Sequence, residues 1–245
     1  MSEILYDVDA GVATITLNAP ERRNAFTAAM VPEFIAACEA ADRDDTVGAV
    51  LITAIGESFC SGAHRDILRE AGGDPTRDDN FKLLNSTYSA FMRVGVLRAP
   101  TIAVVCGHAV GAGVNLMLAT DLRIVAETAR IMTGFLRIGI HPGGGHFALL
   151  GRLTGREVAA GLSLFGQEVD GRQAVDLGLA WQALPVAEVE PRARELAQHA
   201  GRDPELAWAA ARSIRLELGP PPISWPAALE AERAAQMWSL RRKKW

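Results

Sequence analysis

The stretch CGHAVGAGVNLMLATDL, Cys106–Leu122, decides how the rest of the chain is read. A β-branched run, TIAVVC, leads into it, and an apolar helical stretch, GVNLMLAT, leads out through a glycine-rich turn. A strand that turns through glycine into a helix leaves backbone N–H groups free at the helix start, a layout that attracts negative charge. A second segment, ESFCSGAHRDI at 57–67, has the same order of strand, small-residue turn and helix. Small residues let the backbone come close. Two such turns side by side can aim two N–H groups at one carbonyl oxygen and stabilise an enolate or a tetrahedral oxyanion. The spacing alone equally fits two tight α/β loops with close helix packing. The first polar side chain inside the helix is Asn115, an amide that neither gives nor takes a proton near neutral pH.

Outward from this stretch, strands and helices alternate. ILYDVD and VATITL flank Ala10-Gly11 and predict a hairpin. Thr27 is the expected N-cap of a helix through AAMVPEFIAACEAAD, with Pro32 tolerable only near its first turn. VGAVLIT, TIAVVC and DLRIVA read as buried strands. Residues 71–80 read as a loop and 81–97 as a helix. The turn HPGGGH opens the helix FALLGRL. Thr154 with Glu157, and Asp170 with Gln173, fit capping boxes for the next two helices. LAWQAL is the last expected strand, and helices follow at roughly 187–200, 204–218 and 225–240, the second with Asp203-Pro204 as N-cap and N1. The linker GPPPISWP precedes the last helix, and no internal repeat is visible in the sequence. The pattern predicts an α/β core over 1–185 and a helical region over 186–245.

Composition narrows the function. The chain has 245 residues, 49% of them hydrophobic, enough for a sizeable core, and a net charge of −4 that gives no nucleic-acid footprint. No apolar run reaches the length of a membrane span, and MSEILYDVDAG lacks the marks of a secretory signal. Three widely spaced cysteines, Cys38, Cys60 and Cys106, imply reduced thiols and a cytoplasmic setting.

The blocks PERRNAF, FCSGAHRDIL, RAPTIAVVCGHAVGAGVNLMLATDLRIVAETA, LRIGIHPGGGHFALLGRLTG and EVDGRQAVDLGLAWQAL follow one another in an order and spacing that resembles the crotonase (enoyl-CoA hydratase/isomerase) superfamily over roughly residues 4–240. The resemblance implies a spiral of β-β-α turns with a helical trimerisation region, a homotrimer or dimer of trimers, and an acyl-CoA thioester as ligand with no further cofactor. It implies that the N–H groups of Ala63 and Ala112 form the oxyanion hole, with Gly111 beside the second donor, and that Arg23, Asn24 and Ala25 run along the CoA nucleotide. It places two glutamates of similar hydratases at positions 115 and 135, where this chain has Asn115 and Phe135. A third acidic position, used by some members, falls at Gly143, and no Asp or Glu occurs in 131–150.

Histidine is the remaining titratable type near neutral pH. His141 and His146 flank PGGG, His64 follows the first donor residue, and His108 opens the second turn. His146 is the strongest candidate acid/base, with His141 second; hydrogen bonding to backbone or solvent is the plain alternative for each. A zinc site would need His64, His141 and His146 to converge, and no i,i+4 pair supports one. Asp66 and Glu70 fit either a pocket mouth or a solvated helix face. Phe135, Met132, Met117 and the 71–97 region are expected along the acyl channel. RRKK at 241–244 fits CoA phosphates or a plain basic tail; Trp225, Trp238 and Trp245 read as packing, and Asp121 as structural. Two functions remain open: an acyl-CoA enzyme with a non-standard proton shuttle, or an acyl-CoA-binding carrier or partner subunit without turnover. A Rossmann domain is disfavoured, since no G-x-G-x-x-G follows an early strand.

Overall fold

Alternating apolar residues start the fold. Strands β1 (Ile4–Asp9) and β2 (Val12–Leu17) pair antiparallel around Ala10 and Gly11. Both turn residues have positive φ, 48° and 78°, as the two-residue turn of a right-twisted hairpin requires. The computed structural model describes residues 2–74, 76–218 and 225–242. Thr27 Oγ1 accepts from Met30 N at 3.1 Å and opens α1 (Met30–Arg43), so Pro32 falls in the first turn, where its missing N–H costs nothing. The helix buries Phe34, which meets Phe26 edge-on at 5.5 Å.

The core then repeats a three-part unit. In the first, β3 (Ala49–Ala54) and β4 (Ser58–Cys60) lead to α2 (Arg65–Gly73) and α3 (Asp78–Gly95). In the second, β5 (Thr101–Val105) and β6 (His108–Val110) lead to α4 (Ala112–Leu118). In the third, β7 (Leu122–Ala126) and β8 (Arg130–Met132) lead through a 3-10 turn to α5 (His146–Ser163). The longer strands align in parallel as β3-β5-β7 and the short ones as β4-β6-β8. Each unit therefore advances both sheets by one strand: the β-β-α spiral. The repeat is one of topology, invisible in the residues themselves. β9 (Glu168–Asp170) completes a four-stranded sheet, and β10 (Gln182–Leu184) completes the six-stranded order β1-β2-β3-β5-β7-β10. Strands β3 and β5 are buried on nearly every residue, as parallel strands covered on both faces must be. Burying a side chain such as Leu51 or Ile52 contributes about 1.5–3 kcal/mol.

Some expectations change. The 71–80 loop shrinks to the few residues between Gly73 and Asp78, because both flanking helices extend into it. The Thr154–Glu157 capping box is not formed: Thr154 Oγ1 turns back to donate to Leu150 O at 2.9 Å, and α5 breaks at Gly155 (φ 76°, ψ 176°). The Asp170–Gln173 box does form and opens α6 (Gly171–Asp176). The division at 185/186 does not coincide with the packing. α7 (Val186–Gly201) lies against β3, β5 and β7 and buries Val189, Ala193 and Ala197 there, so the core runs through it. α8 (Pro204–Glu217) is capped by Asp203 as expected. Its Arg215 pairs with Asp121, which also accepts from Thr101 N at 2.8 Å and so ties α8 to β5. α9 (Trp225–Arg242) packs back on α2 and α5 of its own chain rather than standing apart. The linker 219–224 and residues 243–245, which include Trp245 and the lysines of RRKK, lie outside the described residues.

Candidate active site

The two small-residue turns meet. Gly62 (φ 93°) ends the β4 turn and Gly111 (φ 57°) caps α4, both in backbone regions that favour glycine. A Cβ built on Gly62 would lie 3.1 Å from Ala112 N, so one turn sits directly against the amide of the other. A Cβ on Gly113 would fall 2.0 Å from Cys60 O; only glycine lets α4 approach β4 this closely. Phe26 forms a parallel bridge across Ala63, taking bonds at Gly62 O and His64 N and leaving the Ala63 amide turned away from it. Ala112 is the first residue of α4, where amides have no helical acceptor. Among the described residues, neither the Ala63 nor the Ala112 N–H has a hydrogen-bond acceptor.

Both alanines line one cavity of about 440 Å³, together with Ala25, Gly62 and Gly111. Its interior is largely apolar, through Leu68, Leu84, Met132, Phe135, Ile138 and Ile140. Arg22, Arg23, Arg65 and His64 also contribute to its lining, and Arg23 and Arg65 are exposed. Among the described residues, no lining side chain is a carboxylate.

The polar residues expected at the site divide. His64 lines the cavity; its Nδ1 accepts from Asp66 N at 3.3 Å and caps α2. Asp66 is exposed and pairs with Arg69 at 2.6 Å, and Glu70 is exposed as well: a solvated helix face. Asn24 does not face a ligand. It is fully buried; its Oδ1 accepts from Ala19 N at 2.8 Å, and its Nδ2 donates to Ile55 O and Ser58 O. It fastens the Arg23–Ala25 loop from within, while Arg23 and Ala25 reach the cavity. Met117 is buried in the core and does not line the cavity.

His146 is not placed as a proton shuttle. It is fully buried, away from the cavity lining, and both ring nitrogens are engaged. Asn115 Nδ2 donates to Gly143 O at 2.9 Å, so Oδ1 faces the ring and accepts from His146 Nδ1–H at 2.7 Å. His146 Nε2 then accepts from Ser163 Oγ at 3.2 Å. Burial pushes the His146 pKa from 6.5 down to about 3, which keeps the ring neutral. The Ser-His-Asn string has the connectivity of a nucleophilic triad but is sealed from the cavity. It fixes Asn115 instead, and Asn115 does not reach the cavity either. His141 Nδ1 donates to Pro142 O at 2.6 Å beside Phe147, also off the cavity lining. Phe135 does line the cavity, stacking edge-on to His146 at 5.0 Å. Among the described residues, no group of His, Cys, Asp or Glu is arranged to hold a metal ion.

Two features were missed in the sequence, whereas Thr87 and Tyr88 fall in the 71–97 region expected along the channel. Glu232 of α9 is buried and accepts from the amides of Gly145, His146 and Phe147 at 2.9, 3.0 and 3.1 Å, capping α5 from the far end of the chain. Desolvation raises its carboxyl from 4.5 to about 7 despite these donors. Gln236, one turn on, lines the cavity. Thr87 and Tyr88 on α3 line it too, both buried. An acid and an amide four residues apart within the stripe Leu229, Gln236, Met237, Leu240 were the available signal.

A family model for enoyl-CoA hydratase/isomerase matches residues 7–216. The chain belongs to this enoyl-CoA hydratase/isomerase family. A probable enoyl-CoA hydratase of Mycobacterium tuberculosis is 44% identical over 177 residues, covering 72% of this chain and 68% of the relative. The 1,2-epoxyphenylacetyl-CoA isomerase of Escherichia coli is 35% identical over 207 residues, covering 83% and 78%. The crystal structure of an enoyl-CoA hydratase/isomerase from Xanthobacter autotrophicus superposes with a TM-score of 0.84 at 31% identity, over 98% of this chain and 86% of that one. The crotonase fold of the family is thus the fold found here, with the spiral placing both glycine turns at one cavity.

Proposed function

We propose that the protein binds an acyl-CoA thioester, with the Ala63 and Ala112 amides on its carbonyl oxygen, and stabilises the enolate formed from it. The observation that carries this reading is the pair of amides without acceptors, on two abutting turns, at one apolar cavity. Such donors act where charge develops, and one donor is worth ~10²–10³ in rate. The exposed guanidinium groups of Arg23 and Arg65 suit the phosphates of CoA, and the apolar interior suits an acyl group. The reaction belongs to the hydratase/isomerase type. With Asn115 and His146 sealed and Phe135 in the wall, the protons have no lining carboxylate to carry them. Efficient crotonyl-CoA hydration, which needs carboxylates to orient water and move protons, is therefore not expected; decarboxylation, in which the departing CO2 leaves its electron pair as the enolate and no base is needed, is. The same lack of a lining carboxylate favours, as a second reading, a carrier that binds without turnover. Apolar side chains left exposed on one chain, Leu206 and Ile214 on α8 with Phe165 and Trp181, suit a homotrimer or dimer of trimers, and the reduced cysteines suit the cytoplasm.

The test is calorimetric titration with hexanoyl-CoA and with free CoA. The reading expects hexanoyl-CoA to bind more tightly than CoA. Ala112→Pro, tolerated at a first helical position but lacking the N–H, should weaken hexanoyl-CoA about tenfold and free CoA little. Equal binding of both ligands by the native protein contradicts the reading. Crotonyl-CoA turnover in the usual range of ~1–10³ s⁻¹ contradicts the assignment of a carboxylate-free site.

A further inference from the structure

Where the Ala112 amide points depends on how α4 is seated. Ala112 is the first residue of this helix, and Asn115 is the helix's one polar side chain. Asn115 Nδ2 donates to Gly143 O at 2.9 Å, and its Oδ1 accepts from His146 Nδ1 at 2.7 Å. Both bonds end on the same turn, Gly143-Gly144-Gly145-His146, and Gly143 itself lines the cavity. A Cβ on Gly144 would lie 2.6 Å from Phe91 Cζ and 2.9 Å from Asn115 Nδ2, so the turn is pressed against α3 and α4. A run of glycines has little stiffness of its own. What holds this one comes from α9. Glu232 Oε2 accepts from the amides of Gly145 and His146 at 2.9 and 3.0 Å, and Oε1 from that of Phe147 at 3.1 Å. One turn on, Gln236 packs on Gly143: a Cβ there would fall 2.1 Å from its Oε1.

A helix start is usually capped by a Ser, Thr, Asp or Asn immediately before it. At α5 that position is Gly145, whose φ of 74° favours glycine, so the helix has no side-chain cap of its own. The acceptor for its first amides has to come from elsewhere, and Glu232 brings one from 85 or more positions along the chain. We infer that Glu232 is a positioning residue for the oxyanion donor at Ala112. Its carboxyl group fixes the glycine turn, the turn holds both ends of the Asn115 amide, and Asn115 seats α4 with its first N–H at the cavity. The inference rests on the Ala63 and Ala112 amides as the pair that binds the thioester. Glu232 does not line the cavity and acts only through this relay. Asp170 and Asp203 cap α6 and α8, helices with no residue at the cavity, so losing either cap costs stability alone. The α5 cap differs because its loss frees the turn that α4 is held against.

The experiment separates the seating of α4 from a general loss of stability. Glu232→Ala, Glu232→Gln and Asp170→Ala are made in the full-length protein, and the carbonyl stretch of bound, thioester-labelled hexanoyl-CoA is read by infrared difference spectroscopy. Titrations with hexanoyl-CoA and with free CoA run alongside. Glu232→Ala should lose most of the carbonyl shift of the native protein and bind hexanoyl-CoA about tenfold more weakly, with free CoA little changed. Glu232→Gln keeps one acceptor oxygen and should recover part of both. Asp170→Ala should unfold at a lower temperature and keep the native band. If Glu232→Ala does not fold, Glu232→Gln decides: a partly lost shift supports the inference and a native one overturns it. A native band and native affinity in a folded Glu232→Ala overturn it as well. So does a band that moves as far in Asp170→Ala, since loosening anywhere would then suffice. A carbonyl that does not shift on binding to the native protein overturns the proposed function, and this inference with it.

Discussion

Two sets of polar groups differ in one respect. Asn115, His146 and Ser163 form a closed set in which each group meets a partner, and the set does not open on the cavity. The Ala63 and Ala112 amides lie at the cavity and meet no acceptor among the described residues. Buried polar groups that satisfy each other hold the architecture in place; those left unmet await another molecule. Reading the histidine by its proximity to the glycine turn inverts the two roles. His146 belongs to the scaffold and the two amides to the site.

The contrast can be broken first at its strongest point. His146→Ala removes a fully buried ring and leaves Asn115 Oδ1 and Ser163 without it, so it should cost about 3–5 kcal/mol in chemical denaturation. A cost below about 1 kcal/mol would show that the set does not hold the wall.

Proton linkage sharpens the picture. The folded chain refuses a proton at His146 that the unfolded chain binds below pH 6.5, so this group withdraws stability as the pH falls from 6.5 towards 3. Glu232 acts in the other direction. Its carboxyl, raised from 4.5 to about 7, binds a proton in the folded state that the unfolded chain has lost, so stability drops as the pH rises through that range. Between 4.5 and 6.5 the two slopes oppose each other. Glu232→Gln should unmask the His146 slope, with stability rising by up to about 1.4 kcal/mol per pH unit across that window. An unchanged pH profile would show that Glu232 does not titrate as described.

Smaller effects follow. Asp170→Ala opens the capping box of α6 and should cost about 1 kcal/mol with acyl-CoA affinity unchanged, since the box lies apart from the cavity. Tyr88→Phe removes only an unmet hydroxyl, so its stability should lie within about 0.5 kcal/mol of the native protein or above it. A loss of about 1.5 kcal/mol or more would mean that the hydroxyl has a partner in the free protein.

Much of the fold was legible in local chemistry. Ala10-Gly11 between alternating runs, Asp170 with Gln173 and Asp203 with Pro204 each act within a few residues. The three-residue strands of the second sheet were not. Strands such as Ser58–Cys60 and His108–Val110 are too short to show alternation, and their pairing is with residues some fifty positions away. The site was legible where backbone carries it. The two glycine turns were visible in their small residues, while Ala63 and Ala112 were singled out as donors only through the resemblance to the crotonase superfamily. It was hidden where burial decides: nothing near His146 in the sequence says that its ring meets Asn115, 31 positions away, or that its amide meets Glu232, 86 positions away. The helix that brings Glu232 to the start of α5 and Gln236 to the cavity is placed by packing on α2 and α5, which no local pattern records.

The central claim is that the Ala63 and Ala112 amides hold one thioester oxygen. Isotope-edited infrared difference spectroscopy of hexanoyl-CoA labelled at the thioester carbonyl reads that contact directly. Bound to the native protein, the carbonyl stretch should move to lower frequency than in water, and in Ala112→Pro it should move back towards the free value. A carbonyl band that is unshifted on binding, or shifted equally in both proteins, would contradict the account.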